Sequence, residues 1–159
     1  MSSFTHLDTQ GNPSMVDVGA KKVTLRTAIA KSILVLDEQI MAQFGQNDIQ
    51  SKKGPVFQTA IIAGVMAAKK TGELIPLCHP LGLDNCQISI RINEKNEVEV
   101  ICKASLTAKT GVEMEALVGA SMAALTIYDM CKAMSHNIVI KETRLIEKTG
   151  GKRDFKLED

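Results

Sequence analysis

The sequence predicts an α+β sandwich: an antiparallel sheet with helices packed on one of its faces. Three observations carry this. Two runs of alternating apolar residues, Ile88, Ile90, Ile92 and then Val98, Val100, Cys102, Ala104, Leu106, flank a turn-like stretch at 93–96 and so form an antiparallel hairpin. Segments with helix start and stop signals stand on both sides of that hairpin. The 159 residues are 45% apolar and 23% charged, ordinary globular usage, and this length supports one core and not two. A single domain over 1–159 is expected.

Along the chain, residues 1–14 contain Gly11, Asn12, Pro13 and Ser14 and read as a mobile or loop-like tail, as do 150–159. From 24 to 36 both alternate sets, Ala28/Ala30/Leu34/Leu36 and Ile29/Ile33/Val35, are largely apolar. A buried strand or a helix would both suit, and the unbroken apolar run 33–36 favours the strand. Asp37 can cap a short helix over 38–44, stopped by Gly45. A second helix begins at Pro55, where a first-turn proline is tolerated; it continues through the small, apolar 60–68, has Lys69 and Lys70 in its last turn and stops at Gly72. Residues 73–84, with two prolines, form an ordered loop. After the hairpin, Lys109, Thr110 and Gly111 break the pattern before a long helix over 112–134, and 136–147 supply a last strand around Ile138, Val139, Ile140, Leu145 and Ile146. The order βααββαβ fits a ferredoxin-like sandwich, and an apolar helix-free sheet face would call for oligomerisation.

Composition narrows function. A net charge of +1 gives no global attraction for nucleic acid or an anionic membrane. Aromatic residues are 3% of the chain and Trp is absent, so the hairpin offers no base-stacking platform of the kind an RNA-binding module uses. Cys78, Cys86, Cys102 and Cys131 show no zinc-ligand or disulfide-framework spacing, and reduced thiols are the default. With no signal-like segment and no long apolar stretch, a cytoplasmic chain is expected.

The helix over 112–134 is apolar or small nearly all round, so it should be buried on several sides and its charges stand out. Asp129 and Lys132, three apart, share a face and can pair. Glu113 and Glu115 sit in the first turn, where acids also simply favour the helix dipole. From Glu113 to Asp129 is roughly 24 Å at about 1.5 Å per residue, too far for one small substrate. If all four serve one site, an antiparallel copy of the helix in a second chain must unite them, in a two-fold dimer with composite sites.

Other candidates are local. His79 lies in IPLCHPLGLD between two prolines, a fixed loop in which a histidine can exchange protons. Neighbouring Cys78 has no visible partner that would make it a nucleophile, and no companion ligands complete a metal site with it. Lys52 and Lys53 precede a helix whose first amides could hold phosphate. Lys148 and Lys152 flank the glycines of KTGGKRDF, a basic loop without the Walker pattern, and Lys21 and Arg26 add positive charge near the first strand.

Four motifs, KKGPVFQTAIIAGVMAAKKT, LIPLCHPL, KTGVEMEAL and ALTIYDMCKA, occur in that order, and from about residue 15 to 155 the chain closely resembles the molybdenum cofactor biosynthesis protein C family. The resemblance implies a cyclic pyranopterin monophosphate synthase, which converts 3′,8-cyclo-7,8-dihydroguanosine triphosphate to cyclic pyranopterin monophosphate and pyrophosphate. It also implies a ferredoxin-like fold and a hexamer, a trimer of dimers with sites at the dimer interfaces. By motif match it makes Asp129 the active-site aspartate and Lys53 and Lys132 the proton-transfer lysines. Leu77, Cys78, His79, Met114 and Glu115, with Glu113, become substrate contacts, His79 also serving catalysis. Lys21, Arg26, Lys148 and Lys152 become phosphate ligands. No cofactor is required on this reading, and magnesium can accompany the triphosphate.

Overall fold

The structure, a computed structural model, describes residues 6–8 and 10–158. Its elements are β1 (Thr24–Val35), α1 (Glu38–Met41), β2 (Phe44–Gly45), β3 (Asp48–Ser51), β4 (Gly54–Pro55), α2 (Val56–Ala68), α3 (Thr71–Leu74), β5 (Asn85–Ile92), β6 (Val98–Ala108), α4 (Glu113–Cys131), β7 (Val139–Thr149) and β8 (Phe155–Lys156). The main sheet runs β5-β6-β1-β7-β8 with every neighbouring pair antiparallel. Helices α2 and α4 pack on each other and on the sheet, giving the α+β, ferredoxin-like sandwich expected.

The core lies between sheet and helices. Ala28, Ala30 and Leu34 of β1 and Val98, Val100, Cys102 and Ala104 of β6 are fully buried, and Ala116, Ala120, Ala123, Ala124 and Ile127 of α4 meet them. Small residues set the spacing. A Cβ on Gly64 of α2 would stand 2.7 Å from the Gly119 carbonyl oxygen of α4, and one on Gly119 would stand 2.6 Å from Cys102 Sγ. With glycine at both positions, α4 can lie close to α2 and β6 at once.

The order βααββαβ is present as a skeleton, but the chain inserts further elements. Helix α1 ends at Met41, not at 44, because Phe44 and Gly45 pair with Ile49 and Asp48. Gln46 and Asn47, both at positive φ, close that two-residue hairpin, which is the backbone such turns require. Phe44 then packs on Phe57, with ring centroids 5.9 Å apart. Lys69 caps α2 and Lys70 follows it, so neither lies in its last turn, and Gly72 belongs to the short α3 instead of stopping α2.

The ends also depart from expectation. Residues 150–159 are not loop-like throughout: Gly150, at φ +81°, turns the chain so that β8 pairs with β7 through Lys148↔Phe155 and Glu147↔Lys156. At the other end, residues 1–5 and 9 of the expected tail lie outside the described residues; nearby, Leu7 bridges Pro13 and the Asp8 carboxylate accepts the Gln10 and Asn12 amides. Among the described residues no helix is long and apolar enough to cross a membrane.

Candidate active site

At the C-terminal end of α4, Asp129 lies between two lysines. Lys132 Nζ is 2.6 Å from Asp129 Oδ1 and Lys53 Nζ is 3.1 Å from Oδ2. The two ammonium groups, Lys132 first, hold the Asp129 carboxyl below the usual carboxylate range, and Asp129 in turn raises Lys132. All three side chains are at least half exposed, so the cluster adds little to stability and its significance is chemical.

Lys53 reaches α4 from the turn joining β3 to β4. Ser51 Oγ donates to the Gly54 carbonyl and accepts the Lys53 amide, while Gly54 takes φ +108°. The preceding strand is anchored by Asp48, 6% exposed, whose carboxylate accepts the Phe57 amide at 2.7 Å and the Gln58 amide at 3.1 Å. That counts against the phosphate site that Lys52 and Lys53 could have made with the start of α2: Asp48 already accepts the Phe57 and Gln58 amides, and Lys53 is engaged with Asp129.

The N-terminal end of α4 borders two adjoining pockets. The first, about 300 Å³, is lined by Leu77, Cys78, His79, Met114 and Glu115 among others. Glu115 is only 3% exposed and has no salt-bridge partner among the described residues; burial, reinforced by the nearby Glu113 charge, raises its carboxyl above the normal range. Burial and then the Glu115 charge raise Cys78 as well, which keeps it a thiol and removes the thiolate a nucleophile would need. His79 Nε2 lies 2.8 Å from the Val16 carbonyl oxygen. A carbonyl can only accept, so Nε2 carries the proton.

The second pocket, about 240 Å³, shares Lys21, Thr110, Gly111 and Glu113 with the first. Lys21, Arg26, Lys109, Lys148 and Lys152 line it against the single carboxylate of Glu113, which pairs with Lys148 at 2.9 Å. The fold brings together the four cations that spacing could not connect. Antiparallel pairing of Ala28 with Lys148 and Thr27 with Thr149 lays the end of β7 beside the start of β1. Arg26 Nε and an Nη are each 3.4 Å from the Ala108 and Lys109 carbonyl oxygens, so Arg26 also holds the end of β6. Sequence reasoning missed Lys109 and Asp48. The signal for Lys109 was its place directly before the Thr-Gly break; Asp48 had none, since it caps a helix that begins eight residues later.

One chain therefore gathers Lys21, Arg26, Leu77, Cys78, His79, Glu113, Met114, Glu115, Lys148 and Lys152 at one end of α4 and Lys53, Asp129 and Lys132 at the other. It does not join the two groups. A larger concavity, about 870 Å³, lies elsewhere, on the helix-free sheet face. Four of its charges pair with one another, Arg91 with Glu99 at 2.6 Å and Lys141 with Glu97 at 2.6 Å, and it holds none of the candidate residues. Among the described residues no three His, Cys, Asp or Glu cluster as metal ligands.

The MoaC family model matches residues 15–151. The chain is 51% identical over 152 residues to a cyclic pyranopterin monophosphate synthase of Xanthomonas campestris pv. campestris (strain B100), spanning 96% of this chain and 92% of that protein. It is 49% identical over 168 residues to molybdenum cofactor biosynthesis protein 1 of Dictyostelium discoideum, covering 95% of this chain and 27% of that one. A molybdenum cofactor biosynthesis bifunctional protein of Synechocystis sp. is 52% identical over 155 residues, with 95% and 45% covered.

Proposed function

The chain belongs to the MoaC family, and from that premise we propose that it is a cyclic pyranopterin monophosphate synthase, a lyase of molybdenum cofactor biosynthesis. Its substrate is the GTP-derived 3′,8-cyclo-7,8-dihydroguanosine triphosphate, and its products are cyclic pyranopterin monophosphate and pyrophosphate. The observation that carries the reading is the pair of adjoining pockets at the start of α4. One offers His79, Cys78 and the buried Glu115 to a heterocycle, and the other offers four cations, Lys21, Arg26, Lys148 and Lys152, to a polyphosphate.

Opening the imidazole ring and building the pterin ring require several proton transfers, and closing the cyclic phosphate expels pyrophosphate. Lys21, Arg26, Lys148 and Lys152 stabilise that leaving anion. Leu77 and Met114 shape the heterocycle pocket. Glu115, its carboxyl raised by burial, can present a proton to a ring nitrogen or oxygen, and His79, whose Nε2–H is held by the Val16 carbonyl, has Nδ1 to accept one. Lys132, kept charged by Asp129, serves as an acid, and Lys53 shares the same carboxylate.

The lysine–aspartate cluster is about 24 Å along the helix from the two pockets, so we place the working site between two copies, the start of α4 from one and the end of α4 from the other. The assembly is a dimer of composite sites, grouped three-fold into a hexamer, in the cytoplasm. No redox cofactor takes part, and magnesium enters with the triphosphate.

The test supplies the cyclised GTP derivative to the purified protein and follows pyrophosphate release and pterin formation. Turnover supports the assignment. Folded protein that leaves an intact substrate unchanged overturns it.

A further inference from the structure

We infer that Lys109 is a positioning residue, anchoring the segment ahead of β1 so that Lys21 stands over the junction of the two pockets. The inference rests on the proposed function for its kinetic consequence, but its structural basis is independent of it. Lys109 Nζ donates to the Gly19 carbonyl oxygen at 2.7 Å. Gly19 lies in a self-held turn: the Asp17 carboxylate accepts the Gly19 amide at 2.7 Å, and the Lys21 amide donates to the Val18 carbonyl at 3.0 Å. Fixing Gly19 therefore fixes the backbone of Lys21, two residues on.

The segment has few other holds. It belongs to no strand or helix, and Val16 and Val18 are only half-buried while Asp17, Gly19, Ala20 and Lys21 are exposed. Apart from Lys109, the one side chain among the described residues that donates to it from elsewhere in the fold is His79, through the Val16 carbonyl. Lys21 makes no ion pair among the described residues, although it lines both pockets. The anchor itself is well seated: Lys109 is half-buried, and Arg26 reaches its backbone carbonyl from β1. The placement runs from the sheet through Arg26 to Lys109, then Gly19, then Lys21. A lysine whose ammonium is aimed at a backbone carbonyl acts on the substrate through the residue it places.

Two measurements test this on the full-length protein. Trypsin cleavage after Lys21 and Lys22 should be faster in Lys109→Met than in wild type and unchanged in Lys109→Arg, which keeps a donor. Equal cleavage in Lys109→Met and wild type overturns the inference, whether or not the protein turns over the cyclised GTP derivative. In steady-state kinetics, Lys109→Met should raise KM about tenfold, the scale of one lost charge-assisted hydrogen bond, with kcat within about twofold. Lys109→Arg should restore most of it. In a Lys21→Ala background the Lys109→Met change should add little; additive effects would mean that Lys109 binds substrate itself and would overturn the positioning role. A wild-type protein without turnover would count against the proposed function, and the cleavage comparison would still decide the role of Lys109.

Discussion

Lys132 and Asp129 meet one helical turn apart at the end of α4, Nζ to Oδ1 at 2.6 Å, and Lys53 from the β3–β4 turn closes on the other carboxylate oxygen at 3.1 Å. One carboxylate facing two ammonium groups at an exposed helix end gains little for folding. It does favour the charged forms of Asp129 and Lys132 and leaves a proton-bearing lysine facing solvent, where a substrate can reach it.

Asp129→Asn keeps the shape and removes the charge. We expect turnover to fall by about 10²–10⁴-fold, the usual scale for a proton-transfer group, with a melting temperature close to wild type. Lys132→Met should behave alike. Steady-state rates and thermal melts on the same preparations check both, and near-normal rates would take the two residues out of the chemistry.

Glu115 should make stability depend on pH. Its carboxyl is raised in the fold by burial, so the native state holds the proton more tightly than the unfolded chain does. Below the ordinary carboxylate pKa, about 4.3, both states are protonated and no penalty exists. As pH rises through the folded value the native state must ionise a buried group, and stability is lost. Glu115→Gln should therefore melt higher than wild type near pH 8, with the difference vanishing toward pH 4. A difference independent of pH would contradict this origin.

Asp48→Ala should lower stability by about 1–2 kcal/mol, since it leaves the Phe57 and Gln58 amides without their acceptor at a buried helix start. For a chain of this size that is a fall of roughly 2–8 °C in melting temperature. Because the same carboxylate anchors the strand leading to Lys53, turnover should fall too at temperatures where the variant is fully folded. Melting curves and rates measured well below the transition separate the two effects.

The hairpin and α4 were legible because their patterns are long: period-two alternation over Ile88, Ile90, Ile92 and Val98 to Leu106, and an apolar, small-residue run that leaves few charges to explain. The β2–β3–β4 insertion was not, since strands of two to four residues containing Gly45, Gly54 and Pro55 carry turn composition, and β2 pairs with β3 only through positive-φ Gln46 and Asn47. β8 was hidden for the same reason, two residues behind a glycine turn. At the site, motifs named Lys53, His79, Glu115, Asp129 and Lys132 and also Lys21, Arg26, Lys148 and Lys152, whereas the convergence of these last four with Lys109 into one cradle exists only through the antiparallel register of β1 with β6 and β7. Register is a tertiary property, so no local spacing announces it.

On the proposed function, the two ends of α4 serve two different sites, each completed by a second copy. Mixing and exchanging Glu113→Ala chains with Lys132→Ala chains, each inactive alone, tests it most directly. In every mixed dimer one composite site carries both changes and the other carries neither. With random exchange of equal amounts, half the dimers are mixed, and the account predicts recovery of about a quarter of wild-type turnover. Demonstrated subunit exchange with no recovered activity would contradict it.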